Sequence, residues 1–126
     1  MILVVGGAVA GKRDFACARL GVGADEVADA ELVAASCLDN LQDLLRDPDV
    51  LPDEAADPVG HAAAIDRIAA YRVVICDEVG CGLVPLDPAQ ARWRERVGRV
   101  CCELARRATC VVRVCCGIPA YLKGRP

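Results

Sequence analysis

The sequence predicts a single α/β domain over residues 1–126, built on a mostly parallel sheet with helices on both faces. Three runs, MILVV, RVVIC and TCVVRVC, are close to continuously apolar, as strands buried on both faces are. Stretches with helical spacing separate them. Neither an internal repeat nor a shift in composition marks a second domain.

The elements follow in order. Residues 1–5 form a buried strand ended by Gly6 and Gly7, and Lys12 to Leu20 form a helix stopped by Gly21 and Gly23. Residues 31–35 (ELVAA) read as a weak second strand, and Ser36 as the cap of a helix from Cys37 to about Arg46. Residues 47–58, rich in proline and acid, form a loop and the most mobile segment. A short Ala-rich helix covers His61 to Ala70, and Arg72 to Cys76 form a strand that leads into Asp77-Glu78. Asp87 is an N-cap with Pro88 at the first helical position. The helix that follows runs to about Ala108, with Trp93, Val97, Val100, Cys101, Leu104 and Ala108 on its apolar face. Residues 109–115 form another strand, and 118–122 a final short one.

Composition bounds the function. Hydrophobic residues make up 55% of the chain and aromatics 3%, so the core is built from Val, Leu, Ala and Cys. The net charge of −3 argues against a nucleic-acid surface. No apolar run approaches the roughly 20 residues that span a bilayer, and the first run is too short for a secretion signal, so a cytoplasmic location is expected. The nine cysteines are odd in number and contain no C-x-x-C. They read as free thiols filling small core spaces rather than as a zinc site.

Two motifs carry chemistry. Gly6, Gly7, Ala8, Val9, Ala10, Gly11 and Lys12 follow a strand and open a helix. Glycines there let successive N–H groups turn toward phosphate oxygens, and Lys12 adds a positive charge. The pattern G-x-x-x-x-G-K normally ends in Ser or Thr, whose hydroxyl binds Mg²⁺, but here Arg13 follows. A guanidinium has no lone pair to give a metal. Three arrangements are open: carboxylates and phosphate alone hold Mg²⁺, Arg13 replaces part of the metal's charge, or binding survives without catalysis. The second motif is RVVICDE, an apolar strand ending in acids. Asp77 is the metal-ligand candidate, and Glu78 the candidate for a polar contact or base. Asp39 and Asp43, one helical turn apart, are weaker candidates and read rather as a solvated face. The arginines at 92, 94, 96, 99, 106 and 107 also read as a solvated face, with a subunit interface or attraction of an acidic substrate as the alternative.

DEVGCGLVPLDPAQARWRERVGRV, residues 77–100, resembles the signature of the adenosylcobinamide kinase/adenosylcobinamide-phosphate guanylyltransferase family of cobalamin biosynthesis, which carries N-E-V-G-x-G-x-V-P and then a long helix ending near a G-R-V segment. Glu78, Val79, Gly80, Gly82, Val84 and Pro85 match, while Asp77 stands where Asn is usual. MILVVGGAVAGK resembles that family's opening I-L-V-T-G-G-A-R-S-G-K-S, and CCGIPAYLKG its C-terminal segment. SCLDNL resembles its D-C-L-T strand, with Ser36 in place of Asp and Asp39 in place of Thr. The resemblance implies a three-layer, RecA-like P-loop NTPase fold, commonly trimeric, with ATP or GTP and Mg²⁺ as cofactors and a corrinoid as partner. It places Gly80, Gly82 and Pro85, with Glu78, along the active-site cleft. The family's nucleophilic histidine lies in an R-x-x-H-x-x-x-R-P helix. Residues 21–31 hold nothing similar, and His61 falls elsewhere, as a solvated helix-start histidine.

The functional expectation is a kinase acting on the aminopropanol hydroxyl of a corrinoid, with guanylyltransferase activity lost. The alternatives are a non-catalytic nucleotide- or corrinoid-binding partner protein, and a small P-loop kinase with a changed substrate.

Overall fold

In the computed structural model, which describes residues 1–126, six strands form one sheet. They are β1 (Ile2–Gly6), β2 (Val27–Asp29), β3 (Cys37–Asp39), β4 (Val73–Asp77), β5 (Cys110–Cys115) and β6 (Ile118–Lys123). Four α-helices accompany them: α1 (Lys12–Leu20), α2 (Leu41–Leu44), α3 (Pro58–Ala69) and α4 (Pro88–Arg107). The strand order is β2-β3-β4-β1-β5-β6. All neighbours are parallel except β5 and β6, which form an antiparallel hairpin. None of the helices is long and apolar enough to cross a membrane.

The continuous apolar runs are explained by burial on both sides. Along β4, Val74 and Cys76 enter one core while Val73 and Ile75 enter the other. Leu3 and Val4 divide in the same way, as do Val111 and Val112. The first core holds Leu41, Leu44 and Leu45, with Ile65 and Ile68 of α3 and Val97, Val100 and Leu104 of α4. The second, smaller core is closed by α1 through Phe15, Ala16 and Leu20. The expected apolar face of α4 is therefore the buried one, with Trp93 and Cys101 at its margin. Asp87 caps that helix, its Oδ1 accepting the Ala89 N–H at 3.0 Å.

The region between α1 and α3 differs from expectation. Residues 31–35 are not a strand; they form an irregular connection between β2 and β3. The two strands are only three residues long, so a chain rising about 3.3 Å per residue can return between them without a helix. Ala30, in the left-handed region at φ 51°, starts the reversal. Ser36 is not a helix cap: Cys37 and Leu38, both fully buried, extend as β3, and the helix is confined to α2. Burial of both side chains on opposite faces decides against the helix there. The hydroxyl of Ser36 is buried without a hydrogen-bond partner.

The cysteines divide. Cys37, Cys76 and Cys110 fill the core, and burial pushes the Cys37 thiol up to about 12. Cys81, Cys102, Cys115 and Cys116 are exposed, against the expectation that the cysteines serve as core filler. Among the arginines of α4, Arg94 departs from a plain solvated face: it donates to the carbonyls of Gly80 at 2.7 Å and Leu83 at 2.6 Å and so fixes the preceding loop.

The seam between α4 and the sheet gives a direct stability test. Leu104 is fully buried in the larger core. Leu104→Ala is expected to cost about 2–5 kcal/mol in urea unfolding. A loss below about 1 kcal/mol would show that α4 is not packed as described.

Candidate functional site

The pairing of β1 with β4 sets Gly6 opposite Asp77. The chain leaves β1 and returns on one side as β4 and on the other as β5, so the crevice beyond the strand ends opens beside β1. Residues 7–11 turn there into α1. Val9 and Gly11 take left-handed backbone conformations, with φ of 54° and 86°. That suits Gly11 and strains Val9, whose side chain is fully exposed. The N–H groups of Ala8, Val9, Gly11, Lys12 and Arg13 take no acceptor within the chain, which leaves an array of donors at the positive end of a helix.

Lys12 is buried, and its Nζ sits 2.5 Å from Asp77 Oδ1 and 2.6 Å from the carbonyl of Gly7. The two sequence motifs thus meet in one ion pair. Asp77 is fixed from behind, its N–H donating to Gln42 Oε1 at 3.0 Å. Glu78 donates its N–H to the Gly6 carbonyl at 2.9 Å, and its carboxylate pairs with Arg113 of β5 at 2.9 Å. The loop holding Gly80, Gly82 and Pro85 follows, with Leu83, Val84 and Leu86 exposed.

Three features were missed in the sequence. The first is Asp39, expected on a solvated helix face together with Asp43. It is instead buried at the end of β3, while Asp43 is exposed and pairs with Arg46. Burial raises the Asp39 carboxyl above the ordinary carboxylate range, against the Asn40 N–H and the charge of Arg13. The second is a polar relay in which Asn40 donates to Asp29 at 2.7 Å and Gln42 donates to Asn40 at 3.0 Å. It ties the ends of β2 and β4 together through two amide side chains. The backbone carbonyl of Gln42 also accepts from the Trp93 indole N–H at 2.7 Å, which anchors α4. An amphipathic reading passes over such amides, because only the fold buries Gln42 and sets Asn40 beside Asp29.

The third is the β5–β6 turn. Cys116 and Gly117 are both left-handed, as a two-residue hairpin requires. The Gly117 N–H donates to the Ala10 carbonyl at 2.9 Å, so the hairpin braces the glycine loop. A Cβ on Gly6 would lie 2.3 Å from the Val114 carbonyl oxygen, which explains glycine at that position.

His61 stands near the start of α3 with Nδ1 2.9 Å from the Pro52 carbonyl. Arg13 is half exposed, and its nearest partner is Asp39 Oδ2 at 3.9 Å. As regards a metal, Arg13 supplies no donor atom, and Asp77 Oδ1 already carries the Lys12 ammonium. The residues around the loop therefore do not fit a magnesium ion held as a hydroxyl-bearing loop holds it.

Asp39 gives a pH test. A carboxyl with a raised folded pKa costs stability when ionised, and that cost disappears as pH falls through the folded pKa. The long contact to a half-exposed Arg13 offsets little of it. Asp39→Asn is expected to stabilise the protein at pH 7, with the gain vanishing as pH falls to the ordinary carboxylate range. Denaturant midpoints across pH check this; a loss of stability at pH 7 would contradict it.

No curated protein matches the chain. The sequence profile described as cobinamide kinase / cobinamide phosphate guanyltransferase matches residues 53–122, more than half of the chain. The match takes in β4, the Asp77–Pro85 loop, α4 and the β5–β6 hairpin, and the glycine loop lies outside it. With the strand-end acids and the glycine-rich loop in place, the chain belongs to the cobinamide kinase / cobinamide phosphate guanyltransferase family of cobalamin biosynthesis, as a divergent member.

Proposed function

We propose that the chain binds ATP or GTP at the Gly6–Lys12 loop and transfers the terminal phosphoryl group to the aminopropanol hydroxyl of a corrinoid. The observation that carries this reading is the Lys12–Asp77 pair, which joins the glycine loop to the family-matched segment at 2.5 Å. The free N–H groups of Ala8, Val9, Gly11, Lys12 and Arg13 would receive phosphate oxygens. Lys12 would turn from the Gly7 carbonyl onto the β- and γ-phosphates while staying paired with Asp77. Asp77 would keep that ammonium oriented rather than serve as a lone metal ligand.

In the transfer, the acceptor oxygen forms a bond to the γ-phosphorus and the bond to the β–γ bridging oxygen breaks. The nucleoside diphosphate leaves, and the acceptor proton passes to a strand-end carboxylate, a role we assign to Glu78. Positioning and charge supply most of such a catalysis. Gly80 to Pro85, pinned by Arg94, would form the acceptor side of the cleft, where exposed Leu83, Val84 and Leu86 suit a large apolar ring system.

The guanylyltransferase half is absent in this reading. Its chemistry needs a histidine nucleophile, and the chain's one histidine has a ring nitrogen engaged by Pro52. The replacement of the loop hydroxyl by Arg13 favours a second reading, a protein that binds nucleotide without turning it over.

Turnover separates the two. With adenosylcobinamide and ATP or GTP, formation of adenosylcobinamide phosphate is expected, falling at least about 100-fold in Lys12→Ala. GTP labelled at the α-phosphate is expected to leave no protein-bound GMP, and His61→Ala is expected to retain kinase activity. Nucleotide binding without product would favour the second reading, and an adduct lost in His61→Ala would restore the transferase.

A further inference from the structure

We propose that Arg13 is the built-in counter-cation of the phosphate loop, its guanidinium binding nucleotide phosphate in place of a loop-held divalent ion, with Asp39 holding it ready when the loop is empty. The inference rests on the nucleotide-binding reading and specifies how that site balances charge.

Several observations converge. Arg13 occupies the first turn of α1, directly after Lys12, at the end of the helix that favours anions. Its closest partner, Asp39 Oδ2, lies 3.9 Å away, too far for a hydrogen bond, so its planar fork of N–H donors remains uncommitted. Asp39 is well placed to hold a cation loosely. It is buried, and its Oδ1 is satisfied by the Asn40 N–H at 2.8 Å, which leaves Oδ2 for Arg13. Asn40 is itself fixed by Asp29 and Gln42, so the carboxylate is aimed by the fold.

The donor set points the same way. A hard divalent ion wants about six oxygen ligands. Position 13 offers none, and Asp77 Oδ1 is already paired with Lys12. A guanidinium, by contrast, binds two phosphate oxygens at once. Finally, positions 13 and 39 are both places where the chain departs from the pattern it resembles. An Arg and an Asp replace two hydroxyl residues there, and the fold sets them facing each other. Opposite charges at two facing positions, 26 residues apart in sequence, make one coupled exchange.

The test is calorimetric titration of the full chain with ATP, once with Mg²⁺ and once with EDTA, on the wild type, Arg13→Ser and Lys12→Ala. Circular dichroism confirms that each variant is folded. The wild type is expected to bind ATP with affinities within about 3-fold of each other in the two conditions. Arg13→Ser is expected to weaken binding at least about 10-fold in EDTA and to recover with Mg²⁺, because a hydroxyl returns to the ligand position. Lys12→Ala is expected to weaken both. A wild type that loses more than about 10-fold in EDTA, or an Arg13→Ser variant that matches the wild type in EDTA, would overturn the inference while leaving the nucleotide site intact. A folded wild type that binds ATP in neither condition would overturn the nucleotide reading, and this inference with it.

Discussion

The ion pair between Lys12 and Asp77 is the contact on which the site depends, and it exists because β1 and β4 are parallel neighbours in one fixed register. A slip of one residue would carry Asp77 to the other face and leave a buried ammonium without a partner. Register in turn is held by alternation: Val74 and Cys76 must enter one core while Val73 and Ile75 enter the other. The apolar packing of the sheet and the charge geometry at its edge are thus one constraint. Helix α1 completes it, since Phe15, Ala16 and Leu20 seat the helix on the sheet and so set where its N–H groups point.

Around that pair the chain uses backbone contacts more than side chains. The β5–β6 turn reaches the glycine loop through Gly117, and Arg94 holds the Gly80–Leu83 loop by its carbonyls. Both supports lie within the segment that matches the family profile, while the loop they support lies outside it. The glycine loop can therefore keep its position although Arg13 stands where the pattern it resembles has a hydroxyl residue. The polar relay from Asp29 through Asn40 and Gln42 to Asp77 does the same work on the other flank. Amides suit this task because they donate and accept without adding charge beside the Lys12–Asp77 pair.

Much of this was legible in the sequence wherever a signal was local. Continuous apolar runs gave the central strands, Gly21 stopped α1, and Asp87-Pro88 opened α4. Lys12 and Asp77 were each singled out by a motif at a strand end, but their direct ion pair was not, since Asp77 reads in the sequence as a metal ligand. Residues 31–39 were misread because β2 and β3 are too short to show a period, and Cys37 reads equally well in a helix or a strand. Asp39 was taken for surface because nothing in its neighbours announces burial; only the strand reading turns it inward. The hairpin's brace on the glycine loop depends on a contact between residues 10 and 117, which no local pattern encodes.

The most direct measurement of the central claim is an amide ¹H–¹⁵N spectrum of the full chain titrated with ATP. The largest shifts are expected at the free N–H groups of Ala8, Val9, Gly11, Lys12 and Arg13, with a second set at Asp77 and Gly117, which are tied to that loop. Shifts that avoid the loop, or gather around His61 and the 47–57 segment, would contradict a nucleotide site built on the Lys12–Asp77 pair.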